Sequence, residues 1–372
     1  MKRLLCVTLI GLMILPVVSK AGEWHERIKL TGDFRHRHEL IQVEDKDDRN
    51  RWRIRLRLSL EGEITDEWSA GVRLATGSND PVSTNQTLDD GFTTKMFNLD
   101  RAYFDFHPTF LRGLHIRGGK MELPFDKVEN TELIWDSDLS PEGAAVMYEN
   151  TTHEKVAVFL SGAFFYIDER KADDDTWLAG GQLGVKVEPR ADMHAMVGGG
   201  YYDYEEVKDH HVIFNHDDPF GNSSISHQVV VDGDTTIYED YIWDYNLFEI
   251  FGEIGYTLET MSVTVYGNYV YNTGADSLNA GWLVGVTFKY GKGRGAVKVY
   301  ANYRELEADA VIGAFTSSDF IGGGTDGKGL RAGASVGLAE NVDLALTYFL
   351  NKIDLDEEID YRRLQADIKM KF

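Results

Sequence analysis

The chain has 372 residues, of which 61 are acidic and 38 basic, for a formal charge of −23 at neutral pH. Such a charge excludes nucleic acid as a partner, because like charges repel. Hydrophobic residues make up 43%, yet nothing after residue 21 is an apolar twenty-mer, so no spanning helix is expected; 12% aromatics, 37 glycines and only 7 prolines favour strands.

Met1-Lys2-Arg3 is a short positive region followed by an apolar run from Leu4 to Val18, with Ser19 and Ala21 at the −3 and −1 positions of a small-residue cleavage site. This pattern predicts a secretory signal peptide over 1–21, cut before Gly22, with 22–372 as one domain. Cys6, the only cysteine, falls inside the apolar run. The mature chain is then an exported protein without disulfides, held by backbone pairing.

From there the dominant period is two. Ile28, Leu30 and Phe34 alternate with Lys29, Asp33 and Arg35. In Arg51–Glu61, Trp52, Ile54, Leu56, Leu58 and Leu60 alternate with Arg51, Arg53, Arg55, Arg57 and Ser59. A helix would scatter those arginines, whereas a strand puts them all on one face. Weaker strands are predicted near 68–76, 97–107, 113–121, 143–150, 155–166, 177–188 and 191–204. Clear alternation returns around Phe248–Tyr256, Val263–Tyr271, Trp282–Lys289, Val297–Arg304, Leu330–Val336 and Val342–Tyr348. In the last segment, Leu364, Ala366, Ile368, Met370 and Phe372 alternate with Arg363, Gln365, Asp367, Lys369 and Lys371. A terminal aromatic on an amphipathic last strand resembles the signal read by the barrel-assembly machinery, so Phe372 is expected to be the assembly signal.

The links alternate as well. Short ones are expected at 65–67, 108–112, 150–153, 189–190, 259–260, 291–293 and 340. Long polar ones are expected near 41–49, 77–95, 122–142, 167–175, 205–246, 272–278, 307–327 and 351–358. The fold predicted is therefore all-β: a transmembrane antiparallel up-and-down barrel of about sixteen strands, with short periplasmic turns and long extracellular loops. The apolar face must then meet lipid and lipopolysaccharide of a bacterial outer membrane, while the charged face lines water. Barrels near sixteen strands leave an aqueous channel. Passive diffusion of small hydrophilic solutes is the function expected. Trp52, Trp68, Phe104, Phe106, Tyr256, Tyr269, Tyr271, Trp282, Tyr290 and Phe372 suit interfacial aromatic girdles.

Gly118-Gly119-Lys120-Met121-Glu122-Leu123-Pro124-Phe125, followed by Leu133-Ile134-Trp135-Asp136-Ser137-Asp138-Leu139-Ser140-Pro141-Glu142-Gly143, resembles the putative-porin family of Gram-negative bacteria. Arg53–Leu58 and Leu74–Ser78 are similar to it too. The resemblance implies a sixteen-stranded channel, and kinship with the general and phosphate-selective porins implies a homotrimer. It does not carry a solute identity.

Arg35, Arg37, Arg51, Arg53, Arg55, Arg57, Arg73, Arg101 and Arg117 fall at lumen positions of successive strands, and closure brings Arg363, Lys369 and Lys371 beside the first. They are expected to form one basic pore wall. The link 122–142 holds Glu122, Asp126, Glu129, Glu132, Asp136, Asp138 and Glu142. In general porins the corresponding loop folds into the lumen, which implies a constriction with these acids facing the wall in a transverse field. Alternatively the loop stays outside and the arginines pair with Asp33, Glu61, Asp100 and Asp105. His210, His211, His216, Asp217 and Asp218 have no compact zinc spacing, so no metal site and no cofactor are expected. No enzyme is expected either. A substrate-specific anion channel of phosphate-like preference and a non-conducting adhesin barrel remain alternatives.

Overall fold

A computed structural model describes residues 27–150, 155–171, 173–231 and 234–372. The signal peptide over 1–21 and most of the turn 150–153 lie outside the described residues. Sixteen long strands are present among the described residues. They are β1 (Ile28–Val43), β2 (Arg49–Thr65), β3 (Trp68–Thr76), β4 (Phe97–Phe106), β5 (Leu114–Lys120), β6 (Glu142–Glu149), β7 (Val156–Asp168) and β8 (Thr176–Arg190) in the first half. The second half has β9 (Met193–Glu205), β10 (Tyr245–Leu258), β11 (Met261–Asn272), β12 (Ala280–Tyr290), β13 (Val297–Leu306), β14 (Gly327–Ala339), β15 (Val342–Ile353) and β16 (Ile359–Lys371).

Each strand pairs antiparallel with the next, and β16 pairs back onto β1 from Asp33↔Lys371 to Val43↔Tyr361. Closure of β16 on β1 leaves the barrel without an unpaired terminal strand, as a barrel in lipid requires. The Gly32 N–H donates to the Phe372 carbonyl at 2.8 Å and the Phe372 N–H donates back at 3.0 Å. A Cβ on Gly32 would lie 2.6 Å from the Phe372 ring, so this glycine makes room for the closing aromatic. Phe372 itself remains 58% exposed on the outer surface.

Alternation decides which way the faces point. Along β15, Ala345, Thr347, Phe349 and Asn351 are buried, while Leu344, Leu346, Tyr348 and Leu350 are exposed on the outside. Trp52, Trp68, Phe104, Tyr256, Tyr269, Tyr271, Trp282 and Tyr290 are likewise exposed large apolar groups. In water each fully exposed side chain of this kind forgoes about 1.5–3 kcal/mol. A continuous belt of them therefore calls for lipid around it. The connections fall into a short set, including 66–67, 191–192, 259–260 and 340–341, and a long set at the other end. Glu259 and Asn341 turn the tightest of these with φ of 52° and 59°.

Two features go beyond the alternation pattern. The link after β3 returns as a two-residue strand, Gln86–Thr87, paired with Arg53 and Ile54 of β2. The link after β9 carries a hairpin, Ser224–Val231 with Asp234–Tyr241. The interior also departs from a simple water-filled barrel. Tyr202, Tyr204, Leu247, Phe251, Val270, Leu283 and Leu306 point inward and form one apolar cluster with loop residues Phe125, Leu133, Ile134, Trp135, Val212, Ile213, Val311 and Ile312. Three long links thus fold back over the β9–β13 side of the barrel. They leave the charged wall of β16, β1, β2 and β3 as the polar side of the lumen.

Candidate functional site in the lumen

The register stacks the charges of that wall in rows. Arg35 sits between Lys369 and Arg55, Arg37 between Asp367 and Arg53, Glu39 between Gln365 and Arg51, and Asp33 between Lys371 and Arg57. Because the strand period is two, every member of a row faces the lumen. Arginines packed this closely repel one another, so the carboxylates among them decide the arrangement.

Glu39, fully buried, takes Arg51 at 2.5 Å, Arg363 at 2.7 Å, Arg37 at 3.3 Å and Arg53 at 3.9 Å. Asp367 holds Arg37 through two parallel bonds of 2.6 and 2.9 Å, the bidentate geometry that guanidinium and carboxylate favour. Asp33 takes Arg55 and Arg57 at 2.8 and 2.7 Å. Two more acids arrive from loops. Asp138, in the link between β5 and β6, lies 3.4 Å from Arg55 and 3.0 Å from Arg57, and accepts from the Thr84 N–H and hydroxyl. Asp319, in the link between β13 and β14, lies 2.7 Å from Arg363 and 3.2 Å from Arg37.

Burial pushes the Asp138 carboxyl up, but Arg55, Arg57 and Arg35 outweigh it and hold the group at about 2. Burial opposes ionisation of Asp319 in the same way, and Arg363, Arg37 and Arg35 hold it well below the usual carboxylate range. Asp136 goes the other way: burial, Glu132 and Asp138 raise it well above that range. It accepts from the Ser318 N–H at 2.9 Å and the Asp138 N–H at 2.7 Å, tying the two acidic loops together.

Seven guanidiniums (Arg35, Arg37, Arg51, Arg53, Arg55, Arg57 and Arg363) thus meet five carboxylates (Asp33, Glu39, Asp138, Asp319 and Asp367). Arg35 is the odd member. It is 8% exposed, bonds the Asn85 amide oxygen, has a buried Nε with no partner and makes no ion pair among the described residues. Below it, a cavity of about 210 Å³ is lined by Asp33, Arg35, Arg55, Arg57, Arg73 and Lys371. Lys369 borders that cavity and a second of about 270 Å³ near Tyr300 and Arg331.

Of the remaining members of the expected wall, Arg73, Arg101, Arg117 and Lys369 are paired locally, whereas exposed Lys371 makes no ion pair among the described residues. Arg73 binds Asp100, Arg101 reaches Glu122 at 3.2 Å, and Arg117 reaches Asp105 at 2.8 Å. Lys369 sits 3.4 Å from Asp367. Glu61, expected as an arginine partner, instead accepts from the Tyr103 hydroxyl at 3.5 Å.

Contrary to expectation, the acids of the 122–142 link do not all face this wall. Only Asp138 and Glu122 reach arginines of β2 and β4. Exposed Glu142 opens β6 and pairs with Lys120 at 2.8 Å. Asp126 meets Lys186 on β8 at 3.3 Å, and Glu129 meets Lys289 and Lys298 on β12 and β13 at 2.8 and 3.3 Å. Glu132 is 4.0 Å from Arg331, and its carbonyl accepts from Arg304 at 2.9 Å. The loop crosses the interior from one wall to the other, because its apolar residues dock on the inward aromatics: Phe125 and Trp135 meet Tyr202 edge-on at 4.9 and 5.3 Å.

Sequence reading passed over several members of this site. Glu39 and Asp367 were legible, since they alternate in phase with Arg37 and Arg363. Ser83, Thr84, Asn85 and Asp319 carry no periodic signal, because their position is set by where a loop lands. In the extracellular link, His211 and His227 both approach Asp240, at 2.6 and 2.9 Å, and the His216 ring lies tilted 5.4 Å from that of His211.

A family model described as a putative porin matches residues 40–240 and 243–372. No curated protein sequence matches the chain. Among solved structures, the fold is similar to OprB of Pseudomonas putida, with 9% identity, a TM-score of 0.61 and coverage of 94% of this chain and 95% of that one. It is also similar to the trimer form of OmpT of Vibrio cholerae, with 13% identity, a TM-score of 0.53 and coverage of 93% and 99%. OmpF of Salmonella typhi, solved with daunomycin, gives 11% identity, a TM-score of 0.53 and coverage of 93% and 97%.

Proposed function

This chain belongs to the putative-porin family and resides in the bacterial outer membrane as a channel, and we propose that the channel is narrow, passes small hydrophilic solutes by passive diffusion and prefers anions. The observation that carries the preference is the imbalance of the wall: seven guanidiniums against five carboxylates among the described residues, with Arg35 buried and lacking a carboxylate among them. A buried unpaired guanidinium is costly unless an anion or water meets it. Beside a cavity in the lumen, that unmet demand falls where solutes would pass.

Asp138 and Asp319, reaching the wall from two loops, support its reading as the constriction. The apolar cluster on the β9–β13 side supports a narrow cross-section. Charges held apart across a narrow, low-dielectric passage create a transverse field that orients dipolar solutes and sorts them by charge. A phosphate-like anion suits Arg35, Arg53 and Arg55 by the fork geometry of guanidinium. The trimer form of OmpT supports a homotrimer here, and the C-terminal strand ending in Phe372 supports recognition by the barrel-assembly machinery.

Single-channel recording in a planar bilayer under a KCl gradient tests this. The expected result is a discrete conductance with a reversal potential on the chloride side. Absence of any conductance would remove the pore, and a reversal potential on the potassium side would remove the basic wall as its selector.

A further inference from the structure

At the short-turn end of the barrel, the β4–β5 hairpin gathers a carboxylate and two imidazoles on the lumen face. Asp105 and His107 are two residues apart, hence on one face of an extended chain. The register Asp105↔Arg117 and Phe106↔Ile116, continued by one step, sets His115 across from His107. The His107 N–H donates to the Glu67 carbonyl at 2.9 Å, which keeps this residue in line with the sheet beyond the end of β4.

The side chains converge. His115 Nδ1 lies 3.0 and 3.1 Å from the two Asp105 oxygens, and His107 Nδ1 lies 3.8 Å from Oδ1. All three donor atoms fall within 4.8 Å of one another. In a tetrahedral zinc site with bonds of about 2.0–2.2 Å, donors stand roughly 3.3–3.5 Å apart. Spacings of 3.0 and 3.8 Å bracket that figure, so small rotations of the two imidazoles suffice. The Asp105 side chain is 7% exposed, whereas those of His107 and His115 are 32% and 41% exposed. A fixed carboxylate at the base thus carries two imidazoles open to the lumen.

Arg117 is the charge that counts against a cation here. Its Nε donates to Asp105 Oδ2 at 2.8 Å. That bond holds Oδ2, which His115 Nδ1 also approaches at 3.1 Å, and leaves Oδ1 facing both histidines, the role an outer-shell partner plays at many metal sites. Glu67, on the neighbouring turn, spends its carboxylate on Thr109, at 2.8 Å to the N–H and 2.7 Å to the hydroxyl.

We propose that Asp105, His107 and His115 bind one divalent transition metal of the zinc and copper class at the periplasmic mouth of the lumen. Two imidazoles and a carboxylate suit such a borderline cation better than magnesium or calcium, which prefer oxygen alone. Three protein ligands leave a coordination position open toward the channel.

The test uses the full chain folded in detergent, with zinc chloride titrated calorimetrically in the presence of excess magnesium. One zinc per chain is expected, with affinity lowered about tenfold or more by His107→Ala, by His115→Ala and by Asp105→Asn. His211→Ala with His227→Ala, which alters the extracellular cluster, should leave it unchanged. Zinc absorption spectroscopy of the unsubstituted protein gives a second readout that no variant can confound: two nitrogen ligands at about 2.0–2.1 Å. Zinc binding that survives loss of both His107 and His115, a shell of oxygen alone, or no binding at all would overturn the site. None of these measurements depends on conduction.

Discussion

Asp138→Asn probes the proposed constriction at the point where a loop acid meets the wall. In the native protein one carboxylate oxygen faces Arg55 at 3.4 Å and Arg57 at 3.0 Å, while the other takes the Thr84 N–H and hydroxyl at 3.1 and 2.9 Å. An asparagine keeps one acceptor and turns an NH₂ toward donors, so either the arginines or Thr84 lose their partner. Asp33 still holds both arginines, which limits the damage. Depression of the Asp138 carboxyl from 3.8 to about 2 corresponds to about 2 kcal/mol favouring the ionised native form. The lowered value means that this stability is complete above the carboxyl's unfolded value near 4. It disappears as pH falls toward 2. Urea unfolding followed by tryptophan fluorescence should therefore show Asp138→Asn about 2 kcal/mol less stable at pH 7, with the gap closing as pH is lowered through that window. Removing one negative charge should also move the reversal potential further to the anion side. A difference below about 0.5 kcal/mol at pH 7, with an unmoved reversal potential, would refute the view that Asp138 anchors the loop to the wall.

Arg35→Gln should leave stability unchanged or raise it by about 1 kcal/mol, because it removes a buried charge that has no ion pair among the described residues; reversal potentials should shift toward potassium, and urea unfolding checks the first half. Glu39→Gln should cost about 3–5 kcal/mol by the same unfolding assay, since four guanidiniums lose their shared carboxylate. Gly32→Val places a side chain against the Phe372 ring and the Arg57 carbonyl, both 2.6 Å from the Cβ position. It should impair closure, read as a lower folded fraction on heat-modifiability gels, whereas Gly62→Val, where no atom of the described residues lies within 4 Å, should not.

The sequence was legible wherever burial has a period. Arg51–Leu60 alternates over ten residues because one face meets water and the other meets lipid, and the structure places β2 there with those arginines facing the lumen. The same logic located the other strands, down to the weaker ones at 113–121 and 143–150. Boundaries slipped where pairing continues past the apolar belt: β1 runs on to Val43 and β2 begins at Arg49, shortening the link read as 41–49. The candidate site was legible only in part. Arg37, Arg53 and Arg363 announce themselves by phase, but Glu132 and Glu129 go to the far wall rather than toward the arginines. No local pattern records which wall a loop acid will reach.

By itself, the sequence determined the barrel, its approximate strand number, its lipid-facing surface and its closing strand, because these follow from alternation and backbone pairing. Only the tertiary structure decided what fills the interior. Leu133, Ile134, Trp135, Val311 and Ile312 lie in non-repeating links and find burial only against inward aromatics contributed by distant strands. Asp319 meets Arg363 and Arg37 because its loop lands there. His107 and His115 meet because a register joins them across a turn. A strand's face is set by its own neighbours along the chain, whereas a loop's destination depends on every surface it could cover.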